Sequence, residues 1–86
     1  MKTIWKFELP VLNHVAVPMP EGACILSLAV QGDGMVVWAE VDPKKPSKAR
    51  HFYVIGTGTS DVTARSNFLG TVQMPPFVWH VFEAWR

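Results

Sequence analysis

The sequence has few of the features that would build a disulfide-stabilised or membrane-spanning protein. Cys24 is the only cysteine, which makes an intramolecular disulfide impossible. We expect this thiol, in the apolar segment ACILSL, to be a small buried side chain. No apolar run approaches the roughly 20 residues of a membrane span, and the N-terminal segment MKTIWKFELP lacks the apolar core of a signal peptide. These absences predict a soluble protein made in a cytoplasm.

Charged residues are also scarce. They make up 17% of the 86 residues and leave a formal net charge of +1, against a usual charged fraction of roughly 25%. The longest basic stretch is PKKPSKAR, which we interpret as a solvated loop. Proteins that bind duplex nucleic acid usually carry a dense basic face, so the composition argues against that class of function.

Apolar residues, in contrast, are abundant for so short a chain. They account for 49% of residues 1–86, which we treat as a single domain. A chain of this size buries only a little over 60% of the surface that its unfolded form exposes. Since large exposed apolar patches usually mark an interface, the composition predicts a homo-oligomer.

Seven prolines and six glycines divide the chain into short segments that are rich in residues favoured in strands. Alternation of apolar and polar residues, with turn signals between segments, predicts an all-β protein of about seven short strands and little helix. The architecture expected is a small antiparallel sandwich or a partly open barrel. The predicted strands are TIWKFEL, LNHVAVPMP, ACILSLAV, MVVWAEV, HFYVIG, FLGTVQM and FVWHVFEAW.

Some strands can be placed within that architecture. ACILSLAV is apolar on both faces, which predicts a central strand, and the turn QGDGM joins it to MVVWAEV as a hairpin. Pro18 and Pro20 cannot donate to a ladder, so LNHVAVPMP is predicted to lie at an edge. Gly70 predicts a kink in FLGTVQM, and TGTSDVTARSN is interpreted as a loop or a single helical turn.

The segment YVIGTGTSD suggests two different roles. It matches neither the Walker pattern nor the dinucleotide fingerprint. Its glycines could simply let the chain leave the sheet. Alternatively, its backbone N–H groups could form an anion nest, with Arg50 or Arg65 supplying charge. The residues of that candidate ligand site are Gly56, Thr57, Gly58 and Thr59.

Aromatic side chains offer a second recognition element. Four tryptophans in 86 residues is a high number, and filling the core is the ordinary role of each. Trp38 alternates onto the same face as Glu40, which predicts a partly exposed indole. We therefore expect Trp38 or Tyr53 to stack on a base, or else Trp38 and Trp85 to contact a partner protein.

The sequence shows no arrangement typical of catalysis or of metal binding. The histidines at positions 14, 51 and 80 are far apart and have neither metal-ligand spacing nor nearby carboxylates. We therefore predict no metal, no cofactor and no catalytic residue. A small hydrolase acting on nucleotides through His51 or His80 is the minority alternative.

The order of several short segments resembles a family of short proteins encoded by tailed phages and prophages, whose domain has no known function. The resemblance extends from Ile4 to Glu83 and departs from the family pattern between Ser60 and Asn67. It implies a role inside a bacterial host and brings no activity, cofactor or site residue. The segments that carry it are WKFEL, MPEGACILSLAVQ, VVWAEVDP, IGTGT, FLGTVQ and VWHVFE.

These observations lead to a functional hypothesis. We expect a non-enzymatic, homo-oligomeric binding protein of phage origin in the cytoplasm of the host bacterium. It would act as a counter-defence sponge, holding a small phosphorylated or nucleotide-like signal where subunits meet. The alternative is a protein that inhibits a host factor, or a virion accessory subunit, with the segment DPKKPSKAR in its interface.

Overall fold

A computed structural model describes residues 1–60 and 66–84, which form seven strands and no helix. Accordingly, no helix in these residues is long and apolar enough to cross a membrane. The strands are β1 (Thr3–Leu9), β2 (His14–Pro20), β3 (Cys24–Gln31), β4 (Gly34–Val41), β5 (Ser47–Gly56), β6 (Ser66–Met74) and β7 (Phe77–Ala84).

The strands form two antiparallel sheets. Sheet A has three strands in the order β1-β4-β3, and sheet B has four in the order β2-β5-β7-β6. The two sheets stay separate among the described residues, so the fold is sandwich-like and no barrel closes. The prediction of an all-β antiparallel protein with about seven strands is confirmed.

The core lies between the inner faces of the two sheets. Alternate residues of each strand point inward, as the pleat of a strand requires, and apolar side chains occupy nearly all of these positions. Met35, Val37, Ala39 and Val41 of β4 face Phe52 and Val54 of β5 and Val81 of β7, and each of these is at most 2% exposed.

The hairpin predicted from QGDGM is confirmed, because β3 pairs with β4 around a turn in which Gly32 has a φ of +62°. The prediction that ACILSLAV is a central strand is wrong. β3 lies at the edge of sheet A, and the register shifts between Ile25 and Ser27. This bulge at Leu26 interrupts the alternation and leaves Leu26 half exposed. Cys24 is exposed rather than buried.

Other details follow the sequence more closely. β2 is an edge strand, as its prolines predicted. The register of β6 shifts between Phe68 and Gly70, where the kink was expected, and Leu69 packs against the core. A Cβ at Gly70 would lie 3.3 Å from Leu28 Cδ2 of β3, so glycine permits the close approach of the two sheets there.

The segment DPKKPSKAR is only partly a loop. Asp42 starts a turn, in which its side chain accepts a hydrogen bond from the backbone N–H of Lys44 at 3.1 Å. β5 already begins at Ser47, where it pairs with Pro20 of β2. Polar composition suggested a loop here, but pairing with an edge strand extends the sheet into this segment.

Candidate binding surface

The outward side of sheet B, called face B below, carries most of the aromatic and histidine side chains that pair across strands. Because Val15, Val17, Phe52, Val54, Val72 and Val81 point into the core, their neighbours along each strand point outward. The main outward residues are His14 and Ala16 of β2; His51, Tyr53 and Ile55 of β5, with Thr57 just beyond its end; Val78, His80 and Phe82 of β7; and Phe68, Thr71 and Gln73 of β6.

One row of face B places a ring on every strand of the sheet. His14 pairs with Tyr53, Tyr53 with Phe82, and Phe82 with Phe68. The rings of His14 and Tyr53 stack with centroids 5.2 Å apart, and those of Phe68 and Phe82 pack at 5.3 Å in a tilted arrangement. Phe68, at the edge, remains 58% exposed. The row therefore consists of two ring pairs on adjacent strands, one at each side of the sheet.

A pair of histidines lies beside that row. Nε2 of His14 is 2.9 Å from Nδ1 of His51, and the two rings stack with centroids 5.0 Å apart. A hydrogen bond of this length needs one nitrogen as donor and the other as acceptor, so at least one of the two facing nitrogens must be unprotonated. The pair adds hydrogen-bonding groups to face B.

The third histidine is held by hydroxyl groups. Nε2 of His80 lies 2.7 Å from Oγ1 of Thr57, and its Nδ1 lies 2.9 Å from Oγ1 of Thr71. Both ring nitrogens therefore contact hydroxyl groups, one just after β5 and the other on β6. In the part of the chain that the structure describes, His80 contacts no carboxylate, so it has the surroundings of a structural residue.

Face B differs in charge from face A, the outward side of sheet A. Among residues 1–60 and 66–84, no Asp, Glu, Lys or Arg belongs to the paired outward positions of face B. Face A carries Lys6, Glu8 and Glu40 around its central strand. Interface cores are depleted in charged residues and enriched in aromatic ones, so face B has the composition of an interface.

The predicted glycine–threonine site is only partly suited to bind an anion. The N–H of Thr57 donates to the carbonyl of Val78 at 3.3 Å, and that of Thr59 donates to the carbonyl of Gly56 at 3.2 Å. Two of the N–H groups required for an anion nest are therefore used within the protein. Gly58, with a φ of +92°, makes the turn at the end of β5.

Gly56 has a separate packing role. It pairs with Trp79 of β7, and a Cβ at this position would lie 3.2 Å from Cζ3 of the Trp79 ring. Glycine thus allows the indole to lie against the β5 backbone. These contacts favour the interpretation of the segment as the end of a strand, while ligand binding at Gly56, Thr57, Gly58 and Thr59 stays a prediction.

Arg50 lies on the inner side of sheet B at one end of the sandwich. Its Nε and Nη2 donate to the two carboxylate oxygens of Glu83 on β7, the second at 3.0 Å, and its Nη1 donates to the carbonyl of Ala23 at 2.7 Å. The guanidinium therefore joins sheet B to the chain just before β3. This bidentate pairing gives Arg50 a structural role in addition to the predicted ligand role.

The remaining predicted site residues do not assemble into one site. Trp38 is half-buried on face A, between Lys6 of β1 and Ser27 of β3. Tyr53 lies on face B, on the opposite side of the sandwich. Arg65, like Trp85, lies outside the described residues. Of the predicted residues that the structure describes, only Tyr53 and Thr57 share an outward face.

A polar pocket of 330 Å³, which we call the corner pocket, adjoins the edge of face B near Arg50. Lys48 and Arg50 contribute positive charges, and Glu21 and Glu83 balance them. Its principal polar lining residues are Glu21, Lys48, Arg50, His51, Asn67 and Glu83. His51 belongs both to this corner pocket and to face B, so a ligand in the pocket would lie beside the aromatic row.

Sequence reasoning missed the grouping of His14, His51 and His80 on one face. Alternation alone placed His80 and Phe82 on the same side of their strand, and the same rule applies to His51 and Tyr53. What was missing was the pairing of β2 with β5, which brings His14 next to His51 across 37 positions of sequence. No turn signal connects these two strands.

In residues 1–60 and 66–84, no three His, Cys, Asp or Glu side chains lie close enough together to form a candidate metal site.

Comparisons with known proteins give a family and no further detail. No curated protein and no solved structure matches the chain. The family of the domain of unknown function DUF7352 matches residues 1–86 in full, and the protein belongs to that family.

Proposed function

We propose that this protein is a non-enzymatic binding protein that associates with a second copy of itself through face B. The observation that carries the proposal is the uncharged aromatic row from His14 to Phe68. Burying an exposed phenylalanine side chain contributes on the order of 1.5–3 kcal/mol, and aromatic pairs add about 0.5–1.5 kcal/mol.

The charge pattern favours a second copy as the occupant of face B. In a symmetric dimer the same patch meets itself, so a patch with charges of one sign would repel its copy. The described part of face B carries only histidines as titratable groups apart from Tyr53, and His14 already shares a hydrogen bond with His51. Face B can therefore meet its own copy without bringing carboxylate, ammonium or guanidinium groups of the described residues together.

Self-association places a ligand site at the rim of the interface. The corner pocket adjoins face B through His51, and Lys48 extends the positive charge beyond the Arg50–Glu83 pair. A small phosphorylated or nucleotide-like molecule would place its phosphate near Lys48 and His51 and its ring near His14 and Tyr53. With the resemblance to phage and prophage proteins as its support, we propose that the protein acts as a counter-defence sponge in the cytoplasm of a bacterial host.

The surroundings of the histidines support binding rather than catalysis. In the described residues, His51 contacts another histidine and His80 contacts two threonines, and neither ring contacts a carboxylate that would orient it as a base. The hydrolase alternative predicts turnover of nucleotides that is lost when His51 or His80 is changed. Recovery of unaltered nucleotide after long incubation would exclude it.

Sedimentation analysis of two matched variants tests the association. Phe68 and Ile4 are each 58% exposed, and each lies on an edge strand, Phe68 on face B and Ile4 on face A. We expect Phe68→Glu to dissociate the oligomer and Ile4→Glu to leave it intact. A monomeric wild-type protein at high micromolar concentration would overturn the proposal, as would equal effects of the two substitutions.

Thermal shift against cyclic nucleotides and ADP-ribose derivatives tests the ligand. A ligand that binds the native state raises the unfolding temperature in a saturable manner. We expect Lys48→Ala to weaken that response. Lys44→Ala is the control, because it removes the same charge from the β4–β5 turn, and it should leave the response unchanged. If none of these compounds raises the unfolding temperature, the proposed sponge function is wrong, whereas the proposed self-association is not affected.

The second candidate function uses the same surface for a different protein, as a host-factor inhibitor or a virion subunit. The observation that favours it is again the uncharged aromatic row, which suits any flat apolar partner. Pull-down from host lysate distinguishes the candidates. The wild type would then capture one protein stoichiometrically, and the capture would be lost in Phe68→Glu and kept in Ile4→Glu. That result would mean that face B binds this partner rather than a second copy.

A further inference from the structure

A groove at one end of the sandwich is separate from the corner pocket and, among the described residues, touches face B only at its edge, at Gln73. It has a volume of 510 Å³ and lies where the connections β1–β2, β3–β4 and β6–β7 meet. We call it the end groove. Its principal lining residues are Val11, Val30, Asp33, Met74, Phe77 and Trp79. A volume of this size is within the range of small-molecule sites, which are typically about 300–1,000 Å³.

Apolar side chains at the end groove are unusually exposed for so small a domain. Val11 is 41%, Val30 39% and Phe77 56% exposed. The rings of Phe77 and Trp79 stack with centroids 5.4 Å apart, and together they present an aromatic wall. Such a wall binds planar apolar groups, and its π faces also attract cations.

The polar groups of the end groove have one sign of charge. Asp33, on the β3–β4 turn, lines both the groove and a neighbouring depression that also includes Glu8, and no lysine or arginine of residues 1–60 and 66–84 lines either one. Lys6 reaches Gln31 nearby, at 2.6 Å, without lining the groove. Among the described residues, no lysine or arginine forms an ion pair with Asp33.

From this combination we infer that the end groove binds a small organic cation with an aromatic body, such as a primary arylalkylamine. The ring of the ligand lies against Phe77 and Trp79, and its ammonium group lies beside the carboxylate of Asp33. An aromatic wall next to a single carboxylate satisfies both parts of such a ligand, whereas an anionic ligand would be repelled. This site does not depend on the function proposed for face B.

The experiment uses three probes of the same shape and different charge: phenethylamine, 2-phenylethanol and 3-phenylpropionate. Titrations of the ¹⁵N-labelled protein at neutral pH and low salt are followed by NMR. We expect the amine to bind roughly five-fold more tightly than the alcohol, which corresponds to one charge pair in a water-like medium, and the carboxylate to bind most weakly. The shifts should centre on Gly32, Asp33 and the Trp79 indole.

Three variants separate the two parts of the site. Asp33→Asn should remove the difference between amine and alcohol while keeping the affinity for the alcohol. Glu40→Gln, the same loss of charge on face A, should preserve that difference. Phe77→Ala should weaken all three probes, by roughly five- to ten-fold, and the exposure of Phe77 makes this change compatible with folding.

Several results would overturn the inference. One is the absence of saturable shifts with any probe. Others are equal affinity for the amine and the carboxylate, shifts centred away from the end groove, or an amine preference that survives in Asp33→Asn.

Discussion

The outward faces of the two sheets differ in the side chains that surround their apolar residues. On face A, Val36 at the centre of β4 is only 3% exposed. The ammonium group of Lys6 on β1 donates to the side-chain carbonyl of Gln31 on β3 at 2.6 Å, so this contact crosses β4 above Val36. On face B, Phe82 has a comparable central position, but its neighbours are Tyr53 and the exposed Phe68.

The difference shows two ways in which a short chain with many apolar residues can shield them from water. Long polar side chains can cover apolar surface with their methylene groups while their polar ends stay in water, and the side chain of Lys6, which reaches across β4 to Gln31, is suited to do so on face A. Face B has mainly rings and β-branched residues at its outward positions, and we propose that a second copy covers its apolar surface. The proposed association through face B follows from this contrast.

The largest expected effect compares the central aromatic residue of each face. Phe82→Ala should destabilise the associated protein by about 3 kcal/mol, because contacts within the chain and with the second copy are both lost. Trp38→Ala should cost about 2 kcal/mol, from contacts within the chain alone. Thermal unfolding at low and high micromolar concentrations checks this, since only the stability that depends on face B should change with concentration.

The control is the wild type, whose unfolding temperature should rise with concentration. Phe82→Ala should lose that concentration dependence and Trp38→Ala should keep it. If both variants behave like the wild type in this respect, face B is not the interface.

A smaller effect is expected at Arg50, whose guanidinium joins sheet B to the chain just before β3. Glu83→Gln removes the charged partner of Arg50, whose side chain is 24% exposed, and leaves part of its guanidinium without an acceptor. Losing a charged hydrogen-bond partner in a part-buried site costs about 2 kcal/mol. Urea unfolding should show this loss, while sedimentation should show unchanged association because Glu83 points inward.

Glu40→Gln serves as the matched control, since it makes the same chemical change at an exposed position of face A. Its effect should stay within about 0.5 kcal/mol. Equal destabilisation by the two substitutions would mean that the Arg50–Glu83 contact does not stabilise the sandwich.

Alternation in the sequence predicted the strands and most of their inward and outward sides. It predicted that Phe82 and His80 point the same way, and that Trp38 shares a face with Glu40. It could not predict the bulge at Leu26, because one extra residue in a strand leaves no mark in composition. The prediction that β3 is central had a different basis, the apolar residues on both of its faces, and β3 nevertheless lies at an edge.

The candidate surface was harder to predict because it depends on pairing between distant strands. The row from His14 to Phe68 exists only when β2, β5, β7 and β6 are neighbours in that order, and no local signal in the sequence specifies this order. The same limitation affected Arg50. A basic residue before a glycine–threonine loop suggested an anion ligand, but its contact with Glu83 follows from the packing of β5 against β7.

The smallest expected effect concerns the cover over Val36. Lys6→Ala removes one exposed hydrogen bond and should cost about 0.5 kcal/mol, while exposing Val36 and part of Trp38 on face A. We therefore expect the variant to bind an apolar fluorescent dye more strongly than the wild type, at nearly unchanged stability. Lys44→Ala, which removes the same charge from the β4–β5 turn, should change neither quantity. If Lys6→Ala leaves dye binding unchanged, the Lys6–Gln31 contact does not cover face A, and another property must account for the difference between the two faces.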